Sequence, residues 1–494
     1  MPPPPRHSLH AIRSVTALPT ARARPWLVLL IATIGTFMAI LDSSIVNIAL
    51  AHIMAAFHAS VDDIEWIMSA YMIAFAVSIP VTAALRDRFG AKRVYLFGLA
   101  LFTAGSLLCS VAWNLVSLVG FRVVQALGSG ILVPASLVMI TEAFPPTERG
   151  RAIGWWGIGA MLAPAVGPVL GGLLVQSVGW RSIFYLNLPV GGLNLWLARR
   201  WLAPDAPPPH HQTFDWLGLA GFSTALISLL TVFSRIHEWG WSSPDAVRCY
   251  LLGLAGAALF GWIELRHPAP LMDLRIFRRR NFALTIALTF IRAFALFGSV
   301  FLLPLYLQTL LGYSPAMTGL LMLPFAVCVG LLMPLGGRLV DRIGPQVPVS
   351  IGTALTAWSL YLYRGLGASG SIGLVLIGQV LRGIGIGLAA APVTSAAVSA
   401  VSPRRRGVAS GLLNITMQVG GAFGIAVLGT IYHWQEGWLM RAHQLAPTVA
   451  SIQAFQQVFV VASAITLTCL VPALLLDNRA HLHGVAQEQA VLVE

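Results

Sequence analysis

Charge is scarce in this chain. Of its 494 residues only 10% are Asp, Glu, Lys or Arg, against 57% apolar, whereas soluble domains run at about 25% charged. So few charges cannot cover the surface of a soluble globule of this size, which excludes a soluble enzyme, a nucleic-acid-binding domain and a disordered chain. Lysine is nearly missing: Lys92 is the single one, and Arg93 follows it. A P-loop requires Gly-Lys-Ser/Thr, so work across a membrane must draw on an ion gradient or on the substrate's own gradient. No cofactor is expected beyond a proton gradient. The four cysteines, Cys109, Cys249, Cys328 and Cys469, are far apart with no Cys-x-x-Cys, which indicates neither a disulfide framework nor a zinc site. The twelve histidines are scattered, with only His210 and His211 adjacent, so no metal is expected. No interfacial cluster of His, Asp or Ser stands out, and the chain is not read as an enzyme.

What the sequence has in quantity is apolar runs. A membrane span takes roughly 20 apolar residues. Segments of that length fall at about 26–50, 64–85, 94–113, 115–141, 152–177, 182–203, 213–235, 248–266, 282–310, 316–338, 348–368, 371–400, 407–432 and 455–477. Fourteen spans put both termini on one side. Of the 31 basic residues, 23 lie in loops on the amino-terminal side, 5 lie opposite, and Arg122, Arg292 and Arg382 lie inside spans. Cytoplasmic loops carry the excess of Lys and Arg, so both termini are expected to be cytoplasmic. The formal charge of +13 is then a signature of topology, and nucleic acid is not needed to explain it. Residues 1–25 hold Arg6, Arg13, Arg22 and Arg24 among prolines and read as a disordered cytoplasmic tail. They lack the order of regions that a signal peptide shows. Residues 478–494 read as a second tail.

The chain repeats itself. Leu85-Arg-Asp-Arg-Phe-Gly90 recurs as Leu339-Val-Asp-Arg-Ile-Gly344 at an offset of 254, and Gln125-Ala-Leu-Gly-Ser-Gly130 aligns with Arg382-Gly-Ile-Gly-Ile-Gly387 at 257. Arg149-Gly-Arg-Ala152 recurs as Arg406-Gly-Val-Ala409, again at 257. Two parallel six-span halves separated by two extra spans are the simplest account, and parallel halves about a midplane site are a transporter architecture.

Four charges lie deep in the spans: Asp42, Arg122, Arg292 and Arg382. An ionised, unpaired intramembrane acid costs several kcal/mol, and Asp42 is read as the only carboxylate well inside a span. That makes it the candidate for proton exchange; the plainer reading is a packing or capping acid near the outer end. Arg122 cannot deprotonate and must face a partner or water. With about 1.5 Å of rise per residue, Asp42 and Arg122 lie roughly 6 and 9 Å outward of their span centres, so the two can meet. Arg292 could pair with Asp42 across a cavity, bind an anionic substrate, or sit beside backbone carbonyls; Arg382 could share its role. Asn47, Tyr306, Gln308 and Asn414 are neutral polar candidates for a substrate cavity, which Met and aromatic residues could line on its apolar side.

Several motifs stand in order: Leu41-Asp-Ser-Ser-Ile-Val-Asn-Ile-Ala-Leu50 in span 1, Ala83-Ala-Leu-Arg-Asp-Arg-Phe-Gly-Ala-Lys-Arg93 after span 2, Arg122-Val-Val-Gln-Ala-Leu-Gly-Ser-Gly130 in span 4, and Ala163-Pro-Ala-Val-Gly-Pro-Val-Leu-Gly-Gly172 in span 5. Trp180–Pro189 and Leu303–Gln308 accompany them. Through these residues the chain resembles the major facilitator superfamily, specifically its fourteen-span drug:proton antiporters, over about 26–477. The resemblance implies an all-α membrane protein of the major facilitator fold: a six-helix bundle at 26–203, two extra central transmembrane helices within 204–281, and a second six-helix bundle at 282–477. It implies that Asp42 and Arg122 couple transport to protons and that Asp87, Arg88 and Gly90, with Asp341 and Arg342 in the repeat, form a conformational latch. It also implies that Gly154, Gly167, Pro168, Gly171 and Gly172 mark the helix that distinguishes proton-coupled exporters from importers. Five positions depart from the family pattern: Ala51 for proline, Ala83, Ala126 and Ala163 for glycine, and Ala91 for a basic residue. The expected activity is proton-coupled export of drugs or amphipathic small molecules across the cytoplasmic (inner) membrane by alternating access. The alternatives are a dedicated exporter of one metabolite or anionic antibiotic, and a non-transport membrane component. The expected partners are substrate, protons and the lipid bilayer; a periplasmic adaptor protein is left open.

Overall fold

The computed structural model describes residues 25–145, 148–204, 215–267, 271–272, 274–367, 371–401 and 405–478. The two expected tails, apart from Pro25 and Asn478, lie outside this set. Among the described residues all regular structure is helical. The first bundle holds α1 (Pro25–Phe57), α2 (Val61–Phe89), α3 (Ala91–Ser110), α4 (Leu115–Ala143), α5 (Arg149–Val178), α6 (Ser182–Tyr185) and α7 (Asn187–Trp201). A hairpin follows, α8 (Trp216–Trp239) and α9 (Pro244–Arg266). The second bundle holds α10 (Arg280–Leu305), α11 (Pro315–Ile343), α12 (Gln346–Leu362), α13 (Ile372–Ser399), α14 (Arg406–Ala442), α15 (Pro447–Thr468) and α16 (Leu470–Leu474).

Polar residues at the helix ends fix where each run begins and stops. Ser60 and Asp63 form a reciprocal capping box at the start of α2, as do Asn114 and Ser117 at α4, meeting backbone groups that the first turn leaves unbonded. Gly90 and Gly344 end α2 and α11 at φ 88° and 78°, a backbone region that glycine enters without steric cost. The repeated Asp-Arg-x-Gly segment is therefore also a repeated turn. Pro164 and Pro168 withdraw backbone donors from α5, which bends by about 40° between Arg151–Pro164 and Val166–Val178.

Eleven helices among the described residues are long and apolar enough to cross a membrane, or twelve when bent α5 counts as one span. The expectation was fourteen. The two other expected spans, 182–203 and 348–368, coincide with shorter helices. The first is broken at Leu186 into α6 and α7, and α12 stops after 17 residues at a 3-10 turn, Tyr363–Gly365. The chain is a multi-pass helical membrane protein in either count.

Small residues let the helices approach closely. Gly98 and Gly128 join α3 to α4, Gly221 and Gly256 join α8 to α9, Gly298 and Gly424 join α10 to α14, and Gly352 and Gly385 join α12 to α13. The two bundles meet along α2 and α14, where Gly421 lies on Met72, and at one end of α5 and α11. There Gly172 of α5 lies on the Pro315 carbonyl and Ala316 of α11, Gly319 lies on the Pro168 carbonyl, and Gln308 Nε2 donates to Ile48 O at 3.0 Å. Toward the other end, where α2 and α11 stop, Gly154 and Gly157 of α5 and Gly330 of α11 face open space. Helices α5 and α11 thus touch at the Gly172–Pro315 end, the closed end, and leave open space toward the Asp87–Asp341 end, the parted end, while α2 and α14 stay packed as far as Met72 and Gly421.

Candidate proton-coupling site and cavity

Asp42 sits mid-way along α1 with no exposed surface, and Arg122 of α4 is equally buried. Arg122 Nη1 donates to Asp42 Oδ2 at 2.5 Å and to Gln125 Oε1 at 2.6 Å. Gln125, one turn further along α4, donates from Nε2 to Asp42 Oδ1 at 2.9 Å and to Ser106 Oγ of α3 at 3.1 Å. Asn187, the first residue of α7, donates from Nδ2 to the same Asp42 Oδ1 at 2.8 Å and to Ser106 Oγ at 2.9 Å. Four helices therefore converge on one carboxyl group, which receives three donors. Arg122 also lies over the Tyr71 ring of α2, 4.0 Å from its centroid, a cation–π contact, and its Nε and Nη2 have no hydrogen-bond partner among the described residues. A charged pair sealed from water in this way needs its remaining bonds met, and Gln125, Asn187 and Tyr71 provide most of that compensation. A proton arriving at Asp42 must displace Arg122 or an amide, so protonation and the packing of α1 against α4 and α7 are linked.

The repeat brings a second version of this cluster. The offset of 257 carries Asp42 to Ser299, Ser106 to Tyr363, Arg122 to Gln379 and Gln125 to Arg382, and the offset of 254 carries Tyr71 to Phe325. Arg382 donates to Ser299 Oγ at 2.8 Å and to Gln379 Oε1 at 2.6 Å, and lies over the Phe325 ring at 4.6 Å. Tyr363 donates to Gln379 Oε1 at 3.4 Å. The cluster is rebuilt with arginine and glutamine exchanged and with serine where the acid stood. Arg382 is thus sealed in the second bundle's core.

The other expected cavity residues separate into two groups. Arg292 of α10 and Asn414 of α14 line one cavity of about 230 Å³. Arg292 donates to Ala389 O and Ile386 O of α13 at 3.3 and 3.5 Å, while Asp42 is engaged by Arg122. Asn47, Tyr306 and Gln308 lie outside that cavity. Asn47 donates to Ser43 O and Ser44 O within its own helix, the buried Tyr306 donates to Gly367 O, and Gln308 joins the closed end.

Gly167, Pro168, Gly171 and Gly172 are brought together along the closed end, against Ser44, Ile45 and α11, while Gly154 is not. Asp87 is paired with its neighbour Arg86 at 2.6 Å, both side chains more than a third exposed, and Arg88 lies over the Phe89 ring. Asp341 and Arg342 are exposed. The latch residues thus stand at the parted end.

Sequence reasoning did not single out Gln125, Asn187 or Ser106 as carboxylate partners. The i, i+3 spacing of Arg122 and Gln125, and the placing of Asn187 just before Pro189, were the available signals. It also missed Glu65. This side chain, one turn into α2, is fully buried, and neither carboxyl oxygen has a hydrogen-bond partner among the described residues. Ser234 of α8 lies beside it without a bond of ordinary geometry, and Gly429 of α14 leaves the room it occupies. Around it, Arg235 lies 3.6 Å from Asp63, and His433 lies 3.2 Å from Asp62.

Two helical bundles related by an internal repeat, with a sealed ion pair in one and polar residues along the cleft, define a membrane transporter. The family model for the Major Facilitator Superfamily matches residues 32–425 and 285–492. The chain belongs to the major facilitator superfamily. It is 38% identical over 410 residues to the multidrug resistance protein Stp of Mycobacterium tuberculosis, covering 83% of this chain and 76% of that one. It is 35% identical over 411 residues to the tetracenomycin C resistance and export protein of Streptomyces glaucescens, covering 83% and 76%. It is also 32% identical over 489 residues to a multidrug resistance protein B homolog of M. tuberculosis, covering 92% and 90%. Among solved structures, a bacterial homolog of the human lysosomal transporter Spinster, in an inward-facing and unoccupied conformation, matches with a TM-score of 0.67 at 18% identity over 93% of this chain and 98% of that one. At that identity the likeness concerns the fold alone.

Proposed function

We propose that this protein is a proton-coupled antiporter that exports drugs or other amphipathic small molecules across the cytoplasmic membrane by alternating access. The observation that carries the reading is the sealed Asp42–Arg122–Gln125–Asn187 cluster. It is a carboxyl group whose protonation is tied to the packing of four helices. The names of the relatives, multidrug resistance proteins among them, favour drugs as the cargo. We place both termini in the cytoplasm and count fourteen spans, taking α6–α7 and α12 as short ones. The parted end is then cytoplasmic and the conformation inward-open. In this state Asp42 has released its proton to the cytoplasm, its carboxylate is held by the charge of Arg122, and substrate enters the cleft from the cytoplasm. Release outside and proton uptake at Asp42 complete the cycle. The bundles 26–203 and 282–477 move against each other, with the hairpin within 204–281 inserted between them in sequence. Substrate, protons and lipid are the partners, and a periplasmic adaptor would extend the route.

A narrower cargo is the second reading, favoured by the relative named for tetracenomycin C export. Dye efflux from vesicles, with and without a proton gradient, for wild type and Asp42→Asn, tests the mechanism. Gradient-driven efflux is expected from the wild type and none above the leak from the variant. Efflux that survives both an uncoupler and the substitution would sink proton antiport.

A further inference from the structure

The charges inside the two bundles do not balance evenly. Asp42 is engaged by Arg122, and Arg382 is enclosed by Ser299, Gln379 and Phe325. Arg292 is different. Its two bonds, at 3.3 and 3.5 Å, go to backbone carbonyls at the long end of the hydrogen-bond range, and no carboxylate pairs with it among the described residues. It is the only charged residue lining the 230 Å³ cavity between α10, α12, α13 and α14. Thr353, Thr356, Thr394 and Asn414 line the same cavity. The Thr353 hydroxyl is a second observation. Its side chain is 1% exposed, and its oxygen has no hydrogen-bond partner among the described residues. Buried hydroxyls ordinarily have one. Asn414 and Met417 of α14 also line the cavity, and both are exposed.

We propose that this cavity is a headgroup subsite that takes the anionic end of an amphipathic substrate, a carboxylate, sulfonate or phenolate, against Arg292 and Thr353. The proposal rests on the transport reading above and deepens it by naming a substrate class. Sites for whole drug-sized ligands run from about 300 to 1,000 Å³, so 230 Å³ holds a polar end while the apolar body stays in the cleft. Guanidinium presents paired donors suited to a planar anion, and the Thr353 hydroxyl supplies a further donor. A cationic head would meet a fixed positive charge with no acid in the lining to offset it.

Equilibrium binding to the purified full-length protein tests this without any gradient. The probes are 11-(dansylamino)undecanoic acid and its methyl ester, which differ in the charge of one end. The wild type should bind the acid more tightly than the ester. Arg292→Gln should weaken the acid on the order of tenfold to a hundredfold, the worth of a charge-assisted contact, and leave the ester unchanged. Arg292→Lys should recover most of the loss, and Thr353→Val should weaken the acid selectively. Equal wild-type affinity for acid and ester overturns the proposal, as does unchanged acid binding in Arg292→Gln or a parallel loss of both probes. Failure of proton coupling in the vesicle assay would leave these affinities as they are, so the two readings fail separately.

Discussion

Gly172 sits where the two bundles touch, and Gly154 of the same helix faces open space. Replacing each with alanine gives α5 the same gain in helix propensity, about 1 kcal/mol, so any difference between the variants reports the contact. At position 172 the added methyl meets the Pro315 carbonyl oxygen and lies 2.8 Å from Ala316 Cα. Both are backbone atoms, which cannot rotate away as a side chain could. Overpacking of this kind costs about 1–3 kcal/mol. The penalty applies only while that end is closed, because the contact is lost when the bundles part there. At 1.36 kcal/mol per decade, the closed-to-open ratio should therefore fall about fivefold to 150-fold. Spin labels at positions 201 and 347, at the parted-end termini of α7 and α12, read this by pulsed electron resonance in a background without native cysteines. Gly172→Ala should move population from long to short label separations, and Gly154→Ala should match the parent. A folded, monodisperse Gly172→Ala protein with an unchanged distance distribution would refute the reasoning, and so would an equal shift in Gly154→Ala.

Arg122→Leu should destabilise the protein by about 3–5 kcal/mol, the usual effect of orphaning a buried charge. Adding Asp42→Asn should restore part of that loss, and denaturation of all four forms in detergent closes the cycle; strict additivity would contradict the pairing. Ser299→Asp offers Arg382 the carboxylate that Arg122 has. It should be tolerated in the parent and cost several kcal/mol more when Arg382 is also replaced by Gln, as thermal unfolding would register; an equal cost in both backgrounds would count against the repeated-cluster geometry. Glu65 carries two buried oxygens without hydrogen-bond partners among the described residues. Replacing such a group by an apolar one of similar size is often neutral or stabilising, so Glu65→Leu should hold or raise the melting temperature. A fall of several degrees would mean that the carboxyl group has a partner in the folded protein.

Much of the architecture could be read from the sequence because lipid imposes a simple pattern: long apolar runs, basic loops on one side, and a repeat at offsets near 257. Asp42 and Arg122 were visible for the same reason, since a charge within an apolar run needs a partner and rise per residue gives its depth. Neutral partners carry no such signal. Gln125, Asn187, Ser106 and Thr353 belong to a common class of intramembrane polar residues, and only packing shows which of them face a charge. Glu65 was hidden differently. Its place near the start of α2 suggests exposure at an interface, but α8 and α14 close over it, and that contact joins residues far apart in the chain. Tyr306 and Gln308 were placed on the right segment without any clue that it lies in the closed contact between bundles. Local periodicity does not encode which end of a two-state molecule is shut.

The repeated cluster shows how duplication and divergence can divide one task. In both bundles a guanidinium, an amide, a hydroxyl and an aromatic ring occupy corresponding places. Exchanging arginine and glutamine moves the guanidinium by one helical turn, yet it still reaches the position equivalent to Asp42, which is now Ser299. Serine can share hydrogen bonds but carries no charge, so the second cluster keeps its cation whatever the pH. The first cluster can change charge only at Asp42, because arginine does not titrate in proteins. At these two related places the molecule therefore has one group able to exchange a proton. The fixed charges of Arg382 on α13 and of Arg292 on α10, three helices earlier in the chain, make the interior of the second bundle positive. On the proposed reading, a transporter built in this way separates the group that exchanges protons from the half of the cavity suited to an anion. The placing of the charges, with the acid in the first bundle and two unpaired arginines in the second among the described residues, is independent of which compound the protein carries.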